Sequence, residues 1–329
     1  MKRKKYLIIP VLFLLLVLAC GISMFTGTIN IKPFSKLSEQ DIMIIMNIRL
    51  PRLLLGIIAG TGLSVAGAIF QGLMCNPLAD PFILGTSSGA GLGAVIAIIL
   101  GLSSTKIGIP AFSFLFALFS LIIVYNISGT RGKSRTSMQS LMLAGVIVSS
   151  FFSAVMMLVM SMNRKDIGDM VFWIMGNLLE TDYTLIGISG ALVVISAVGL
   201  MFYSRDMNVL TLGEETASQL GIDVDRTRKT LFLISSLLVG AVVSVSGIIG
   251  FIGLVVPHIV RLVTGPDHRI LVPSSAIAGS ILLVLSDTLA RTVAAPLEIP
   301  VGVVTAMIGA PFFLYLLRKR KDRILGKDS

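Results

Sequence analysis

The chain has 329 residues, of which 55% are hydrophobic and 13% are charged, and its mean hydropathy is +0.94. Soluble proteins carry about 25% charged residues, so this composition excludes an ordinary soluble globular protein. The formal net charge of +10 could suggest a nucleic-acid partner. In membrane proteins, however, basic residues collect on the cytoplasmic side, so we expect a lipid bilayer as the partner and no nucleic acid.

The first twenty residues, MKRKKYLIIPVLFLLLVLAC, have a basic start, an apolar core and a small residue before a cysteine. This pattern resembles a secretory or lipoprotein signal, but a chain that crosses the membrane many times begins with the same features. We therefore favour a retained first helix over a cleaved signal. The two cysteines, Cys20 and Cys75, provide neither a disulfide framework nor the spacing of metal ligands.

Nine apolar runs are long enough to cross ~30 Å of hydrocarbon. They cover 6–26, 52–73, 83–101, 109–127, 141–162, 184–203, 230–249, 271–290 and 299–317. Basic residues at 2–5 and 318–327 place both termini in the cytoplasm, which requires an even number of crossings. We expect the tenth helix at 250–264, a short span interrupted by Gly253 and Pro257, because such spans persist where protein surrounds them. The sequence thus predicts one all-α integral membrane domain with ten transmembrane helices.

The longest polar stretch in the second half of the chain runs from Arg205 to Lys229. Six spans precede this stretch, which places it in the cytoplasm together with the basic loop around Lys133. The predicted outside segments are 27–51, 102–108, 163–183 and 291–298. Helix-forming residues from Glu214 to Leu220 and a natural stop at Gly221 predict a short amphipathic helix. We interpret this helix as a contact for a partner; the alternative is a solvated loop.

The sequence contains no evident energy source. The stretch GTRGKS at 129–134 resembles part of a phosphate loop, but the full pattern needs a glycine in place of Ile127 and a preceding strand. His258 and His268 lack an acidic or cysteine cluster in the sequence, so we expect neither a catalytic site nor a metal site. These patterns predict a transport subunit, not an enzyme, whose energy comes from a partner.

Few charged residues occur inside the apolar spans. Asp287 and Arg291 are four residues apart on one predicted helix, which favours an ion pair between them. A proton relay is the alternative, because charged groups inside a membrane are costly and often functional. A secondary transporter and an intramembrane enzyme are two further classes. The scarcity of intramembrane acids disfavours the first, and the lack of a catalytic cluster disfavours the second.

Five stretches resemble permeases of the ABC importers for iron–siderophore complexes, heme and cobalamin. They are 48–94, 141–146, 208–223 (NVLTLGEETASQLGID), 246–269 and 297–317 (LEIPVGVVTAMIGAPFFLYLL), in family order. The resemblance implies the type II importer permease fold in a bacterial cell membrane, as a dimer with a second permease copy. It also implies a cytoplasmic ATPase dimer that binds ATP and Mg, an extracytoplasmic solute-binding protein, and no cofactor bound by this chain. The cargo is then an iron chelate (a siderophore complex or heme), with cobalamin as the alternative.

The resemblance also assigns a coupling site for the ATPase. Glu215, Thr216, Ala217 and Gly221 fit the coupling motif of ABC importers, with threonine in place of one alanine. Residues 208–223 are then expected to form short coupling helices that sit in a groove of the ATPase. The expected coupling residues are Leu212, Gly213, Glu214, Glu215, Ala217, Leu220 and Gly221.

Two further sites follow from the same resemblance. Arg49, Arg52 and Arg291 resemble outward-facing arginines that dock acidic residues of the binding protein, where charge pairs steer and orient the partner. The alternative for these arginines is snorkelling towards the membrane surface. The narrow inner end of the translocation path is expected at Asn76, Leu78, Met138 and Gln139. The last two depart from the small hydroxyl residues associated with that place.

Overall fold

The computed structural model describes residues 7–29, 31, 38–128 and 138–324, which are helical and contain no strand. The first half contains α1 (Ile8–Phe25), α2 (Glu39–Ile44), α3 (Leu50–Leu73), α4 (Thr86–Ile99), α5 (Gly108–Ser128), α6 (Met138–Met162) and α7 (Ile167–Ile174). The second half contains α8 (Tyr183–Phe202), α9 (Ser204–Leu210), α10 (Glu214–Gln219), α11 (Val224–Ser246), α12 (Ile252–Thr264), α13 (His268–Thr292) and α14 (Val301–Ile324).

Within the described ranges, ten apolar helices match the predicted number of crossings. Seven are long enough to span a bilayer by themselves, namely α1, the continuous helix Glu39–Leu73, α5, α6, α8, α11 and α13. Three are shorter, namely α4, α12 and the Val301–Tyr315 part of α14. The tenth helix predicted at 250–264 is confirmed as α12. Pro257 lies inside α12 and is buried, so protein surrounds the interruption.

The core of the bundle is built around α3, which packs against α8, α11, α12 and α13. Glycines lie at the points where α3 crosses its neighbouring helices most closely. A Cβ atom added at Gly60 would lie 2.4 Å from the carbonyl oxygen of Gly279 on α13, and one added at Gly67 would lie 1.8 Å from that of Gly253 on α12. Without side chains at these points, the helix backbones approach closely, which is how helices associate inside a membrane.

Large apolar side chains cover much of the outer surface. On α1 the exposed residues include Phe13 and Leu14, and on α6 they include Phe151 and Met157. In water, an apolar surface of this extent would drive association. In a bilayer it is the ordinary lipid-facing side of a transmembrane bundle, which agrees with the composition of the chain.

The segments outside the helical spans contain short helices of their own. In the predicted outside segment 27–51, α2 begins after Ser38, which forms a capping box with Asp41. One π-helical turn, Ile45–Arg49, joins α2 to α3, so this span extends well beyond the apolar run that predicted it. The predicted segment 163–183 contains α7. The basic N-terminal residues and the stretch at 129–134 lie outside the described residues.

Candidate functional site

The polar stretch between α8 and α11 folds into two short helices, α9 and α10. Gly213 and Gly221, on either side of α10, have φ values of 117° and 83°, which glycine adopts at the lowest cost. Ala217 is fully buried, whereas Leu212 and Leu220 expose 69% and 64% of their surfaces. The predicted amphipathic helix and its stop at Gly221 are therefore confirmed. The contact of this helix with an ATPase stays a prediction.

The last six residues of the polar stretch are helical. Asp223 caps α11, because its Oδ1 accepts a hydrogen bond from the backbone N–H of Arg226 at 3.0 Å. Helix α11 therefore begins at the residue after Asp223. It extends beyond the apolar run 230–249 that predicted it, since Arg226, Arg228 and Lys229 lie in its first turns. We define the coupling segment as residues 204–223.

The exposed rim of the coupling segment is acidic. A cleft of about 550 Å³ between α10 and the start of α11 is lined in part by Glu214, Glu215, Asp223 and Asp225. Glu214 forms an ion pair with Arg228 of α11 at 2.6 Å. Glu215, Asp223 and Asp225 are exposed. Carboxylates at a surface attract and orient a partner that carries basic groups.

An ion-pair network, buried except for Glu298, lies at the ends of α3 and α13 that are remote from the coupling segment. Nη2 of Arg52 contacts Oδ1 of Asp287 at 2.9 Å, and its Nη1 contacts Oε2 of Glu298 at 2.8 Å. Nε of Arg291 lies 3.0 Å from Oδ2 of Asp287, which confirms the predicted Asp287–Arg291 pair. Arg52 and Arg291 therefore each contact one oxygen of the Asp287 carboxylate. We call Arg52, Asp287, Arg291 and Glu298 the Arg52 network.

Arginine side chains also connect α1 to this end of the bundle. Nη2 of Arg291 donates a hydrogen bond to the hydroxyl oxygen of Ser23 at 2.9 Å. Nη1 of Arg49 donates to the carbonyl oxygen of Met24 at 2.6 Å, and its Nη2 donates to that of Ile29. These bonds hold the end of α1 and the backbone that follows it against α3 and α13.

The three predicted docking arginines are buried. Arg49, Arg52 and Arg291 expose 4%, 5% and 4% of their surfaces. Their hydrogen bonds and ion pairs explain this burial, because a guanidinium group away from water needs compensating partners. Contacts within this chain therefore occupy the side chains that were predicted to meet a binding protein or the membrane surface. Docking of a binding protein at this end stays a prediction.

Sequence reasoning missed Glu298 and the Arg52–Asp287 contact. Arg52 is 235 residues from Asp287 and 246 from Glu298 in the sequence. No spacing rule joins residues that far apart. The only sequence signal was the presence of Asp287 inside an apolar span, which indicates a positively charged partner but does not identify it.

The predicted residues of the inner path lie in the α3–α4 turn and at the start of α6. In the turn, Oδ1 of Asn76 accepts a hydrogen bond from the backbone N–H of Leu78 at 3.0 Å. The turn packs on α6 at Gly145, where an added Cβ would lie 2.4 Å from the carbonyl oxygen of Ile83. Helix α6 begins at Met138, and Gln139 is exposed. The part that these four residues play in a path stays a prediction.

The geometry defines a class of protein. A bundle of ten apolar helices in the described part of the chain is typical of a polytopic membrane protein. The chain belongs to the FecCD transport family, whose sequence profile matches residues 12–319. It is therefore an ABC importer permease and a multi-pass membrane protein.

Relatives with assigned names align with most of the chain. The cobalamin import system permease BtuC of Halobacterium salinarum is 46% identical over 87% of this chain and 76% of its own length. The hemin transport system permease HmuU of Yersinia pestis is 38% identical over 95% of both chains. The iron(3+)-hydroxamate import system permease FhuG of Bacillus subtilis is 34% identical over 96% of this chain and 98% of its own.

Solved structures share the fold. An inward-facing conformation of an ABC transporter described as metal-chelate type has a TM-score of 0.87, with 31% sequence identity, over 95% of this chain and 99% of that one. A chain of PsaBC from Streptococcus pneumoniae, in complex with Fab, has a TM-score of 0.52 over 84% of this chain. Its sequence identity is 19%, so it supports the fold alone.

Proposed function

We propose that this permease works in an ATP-driven importer whose ATP and Mg are bound by a separate cytoplasmic ATPase dimer. The observation that carries the proposal is the match of residues 12–319 to a family of ABC importer permeases. A second permease copy completes the membrane part, and a binding protein on the other side delivers the cargo. Neither ATP hydrolysis nor cofactor binding belongs to this chain in the proposal.

Within the coupling segment, residues 212–221 are the proposed ATPase contact. Leu212 and Leu220 offer exposed apolar side chains, and Glu215 offers an exposed charge at the start of α10. A rigid amphipathic helix can occupy a groove of a partner. Closure of the ATPase dimer would then move this helix and drive alternating access of the membrane helices. The turn at Asn76 and Leu78 and the start of α6 are the proposed inner end of the path.

The proposed cargo is a bulky metal chelate. An iron chelate is the first candidate, because the relatives named for hemin and iron(3+)-hydroxamate align along at least 95% of this chain and of their own lengths. Cobalamin is the second candidate, because a relative named for cobalamin import is 46% identical over 87% of this chain and one named for vitamin B12 import is 38% identical over 94% of it.

The energy source can be tested with the permease reconstituted in vesicles together with its ATPase and binding protein. Uptake of hemin, an iron(3+)-hydroxamate complex and cobalamin would be measured in parallel. We expect ATP-dependent uptake of one of them, loss of uptake when the ATPase loses its catalytic glutamate, and no loss when the proton gradient is collapsed. Uptake that follows the gradient and ignores ATP would contradict the proposal.

Docking of the binding protein at the Arg52 network needs a different test. Reversing the charges of Arg49, Arg52 and Arg291 would disrupt buried contacts, so lost capture would be ambiguous. Glu298 is 37% exposed at its side chain and occupies Nη1 of Arg52. If a carboxylate of the binding protein uses the same position, Glu298→Gln should tighten its capture. Unchanged or weaker capture by a correctly folded Glu298→Gln permease would count against docking at Arg52.

A further inference from the structure

A partly buried polar contact joins the coupling segment to the membrane helices. Nδ2 of Asn208 in α9 donates a hydrogen bond to Oδ1 of Asp267 at 2.7 Å. Its Oδ1 accepts one from the backbone N–H of His268 at 2.8 Å and lies 2.8 Å from Nδ1 of the same residue. Because a backbone N–H can only donate, the accepting Asn208 atom is the amide oxygen. We call Asn208, Asp267 and His268 the Asn208 cluster.

The cluster lies where three elements meet. Asp267 caps α13, and His268 is the first residue of that helix and is buried. Gly72, near the end of α3, faces the same point: a Cβ added there would lie 2.3 Å from Cε of Met207 and 2.7 Å from Nε2 of His268. Met207 is fully buried. Displacement of α9 would therefore press directly on the ends of α3 and α13.

Two other polar side-chain contacts of the coupling segment are more exposed or more local. Glu214 and Arg228 pair where the Glu214 side chain is half exposed, and exposed ion pairs add little rigidity. Thr211 bonds only within its own segment, since its hydroxyl donates to the carbonyl oxygen of Asn208 at 2.8 Å. Asn208, in contrast, makes three polar contacts with residues about 60 positions away in the sequence.

We propose that Asn208 is a positioning residue that carries motion of the coupling segment into α13 and α3. Its amide is bonded both to the cap of α13 and to the first residue of that helix, and the neighbouring Met207 fills the space left by Gly72. The inference rests on the proposed function, because it assumes that an ATPase moves the coupling segment. It adds a defined mechanical connection that the coupling motif does not contain.

The main test compares Asn208→Ala with Thr230→Ala in the complete transporter. Thr230→Ala removes a hydrogen bond inside α11, from the Thr230 hydroxyl to the carbonyl oxygen of Arg226 at 2.9 Å, and leaves the Asn208 cluster intact. For Asn208→Ala we expect normal ATPase co-purification and normal basal ATP hydrolysis, but about tenfold less cargo imported per ATP hydrolysed. Thr230→Ala should import as the unaltered protein does. Equal import per ATP in both variants would overturn the proposal.

A second variant separates loss of the connection from a fault in folding. In a chain whose two cysteines are replaced by serine, Asn208→Cys with His268→Cys removes the native contact. A short bifunctional thiosulfonate should then link α9 to α13 and restore import per ATP, and reductant should reverse the effect. A formed cross-link that restores nothing would overturn the proposal.

Failure of the proposed function would look different in these experiments. It would appear as a lack of ATP-driven uptake or of ATPase binding by the unaltered chain. Failure of the present inference would appear only in the variants, as normal import per ATP despite loss of the Asn208 contact. The two results are therefore distinguishable in one set of measurements.

Discussion

Charged side chains are mostly buried at one polar end of the bundle and exposed at the other. At the Arg52 network, Arg52, Asp287 and Arg291 face one another inside the protein, and the more exposed Glu298 pairs with Arg52. At the coupling segment and the start of α11, Glu215, Asp223 and Asp225 remain at the surface. At the Arg52 network, charged side chains hold helices of this chain together. At the coupling segment, they remain accessible to another molecule.

This difference shows that the type and number of charged residues do not reveal their role. Functional roles were predicted at both ends from a family resemblance, and the burial of the charged residues separates the two ends. A buried pair is strongly destabilised when one partner is lost, whereas an exposed charge adds mainly to recognition. Variants at the Arg52 network should therefore affect stability, and variants at the coupling segment should affect transport.

The largest effect on stability is expected for Asp287→Ala. It leaves Arg52 and Arg291 buried without the carboxylate that they share, and loss of one partner of a buried pair costs about 3–5 kcal/mol of unfolding free energy. Thr292→Ala, at the same end of α13, should change it by less than ~0.5 kcal/mol. Denaturant unfolding in detergent would measure both. Similar values for the two variants would mean that the network contributes no stability.

At the coupling segment, Gly221→Pro should abolish uptake and leave the fold intact. Proline fixes φ near −65° and lacks an N–H, whereas Gly221 has a φ of 83° and donates a hydrogen bond to the carbonyl oxygen of Ser218 at 3.0 Å. Glu215→Arg should act similarly by reversing an exposed charge. ATPase co-purification and vesicle uptake would be measured. Normal results for both variants would refute the coupling role.

A matched pair of glutamates compares the two ends directly. Glu298→Ala removes a partner of buried Arg52 and should cost about 1.5 kcal/mol of unfolding free energy, as for a hydrogen bond to a charged group. Glu214→Ala removes a more exposed pair with Arg228 and should cost less than ~0.5 kcal/mol. If Glu214→Ala were the more destabilising of the two, the contrast between the two ends would be wrong.

The smallest effect concerns acid stability. The ion pair with Lys106 at 2.9 Å and the hydrogen bond from the Thr184 N–H lower the pKa of Asp182 from 3.8 to about 2. A carboxyl group whose pKa is lowered by folding stabilises the folded state at pH values above its unfolded pKa. This stabilisation is lost as the pH falls from 3.8 towards 2. Lys106→Ala should therefore lower the thermal midpoint slightly at pH 7 and have a much smaller effect near pH 2.

The control for this measurement is Lys165→Ala, an exposed lysine in the segment that contains α7. It should leave the thermal midpoint unchanged at both pH values. The assigned pair would be contradicted if Lys106→Ala lowered the thermal midpoint as much at pH 2 as at pH 7. It would also be contradicted if the variant had the midpoint of the unaltered chain at pH 7.

Much of the fold could be predicted from the sequence, because each transmembrane helix is a local property. An apolar run of sufficient length must form a helix in hydrocarbon, where each backbone polar group needs an internal partner. The even number of crossings then required a tenth span, and α12 occupies it despite Pro257. Helix formers and Gly221 likewise predicted α10, whereas the start of α11 was missed because the Asp223 cap precedes its apolar residues.

The arrangement of partners could not be predicted in the same way. The sequence by itself determined that the chain crosses a membrane, where a polar helical segment interrupts the spans, and that Asp287 and Arg291 pair across one helical turn. Only the tertiary structure decided that Arg49, Arg52 and Arg291 are buried and that Asn208 meets His268. The physical reason is distance: local periodicity specifies helices, but contacts between residues about 60 or 235 positions apart depend on how the helices pack.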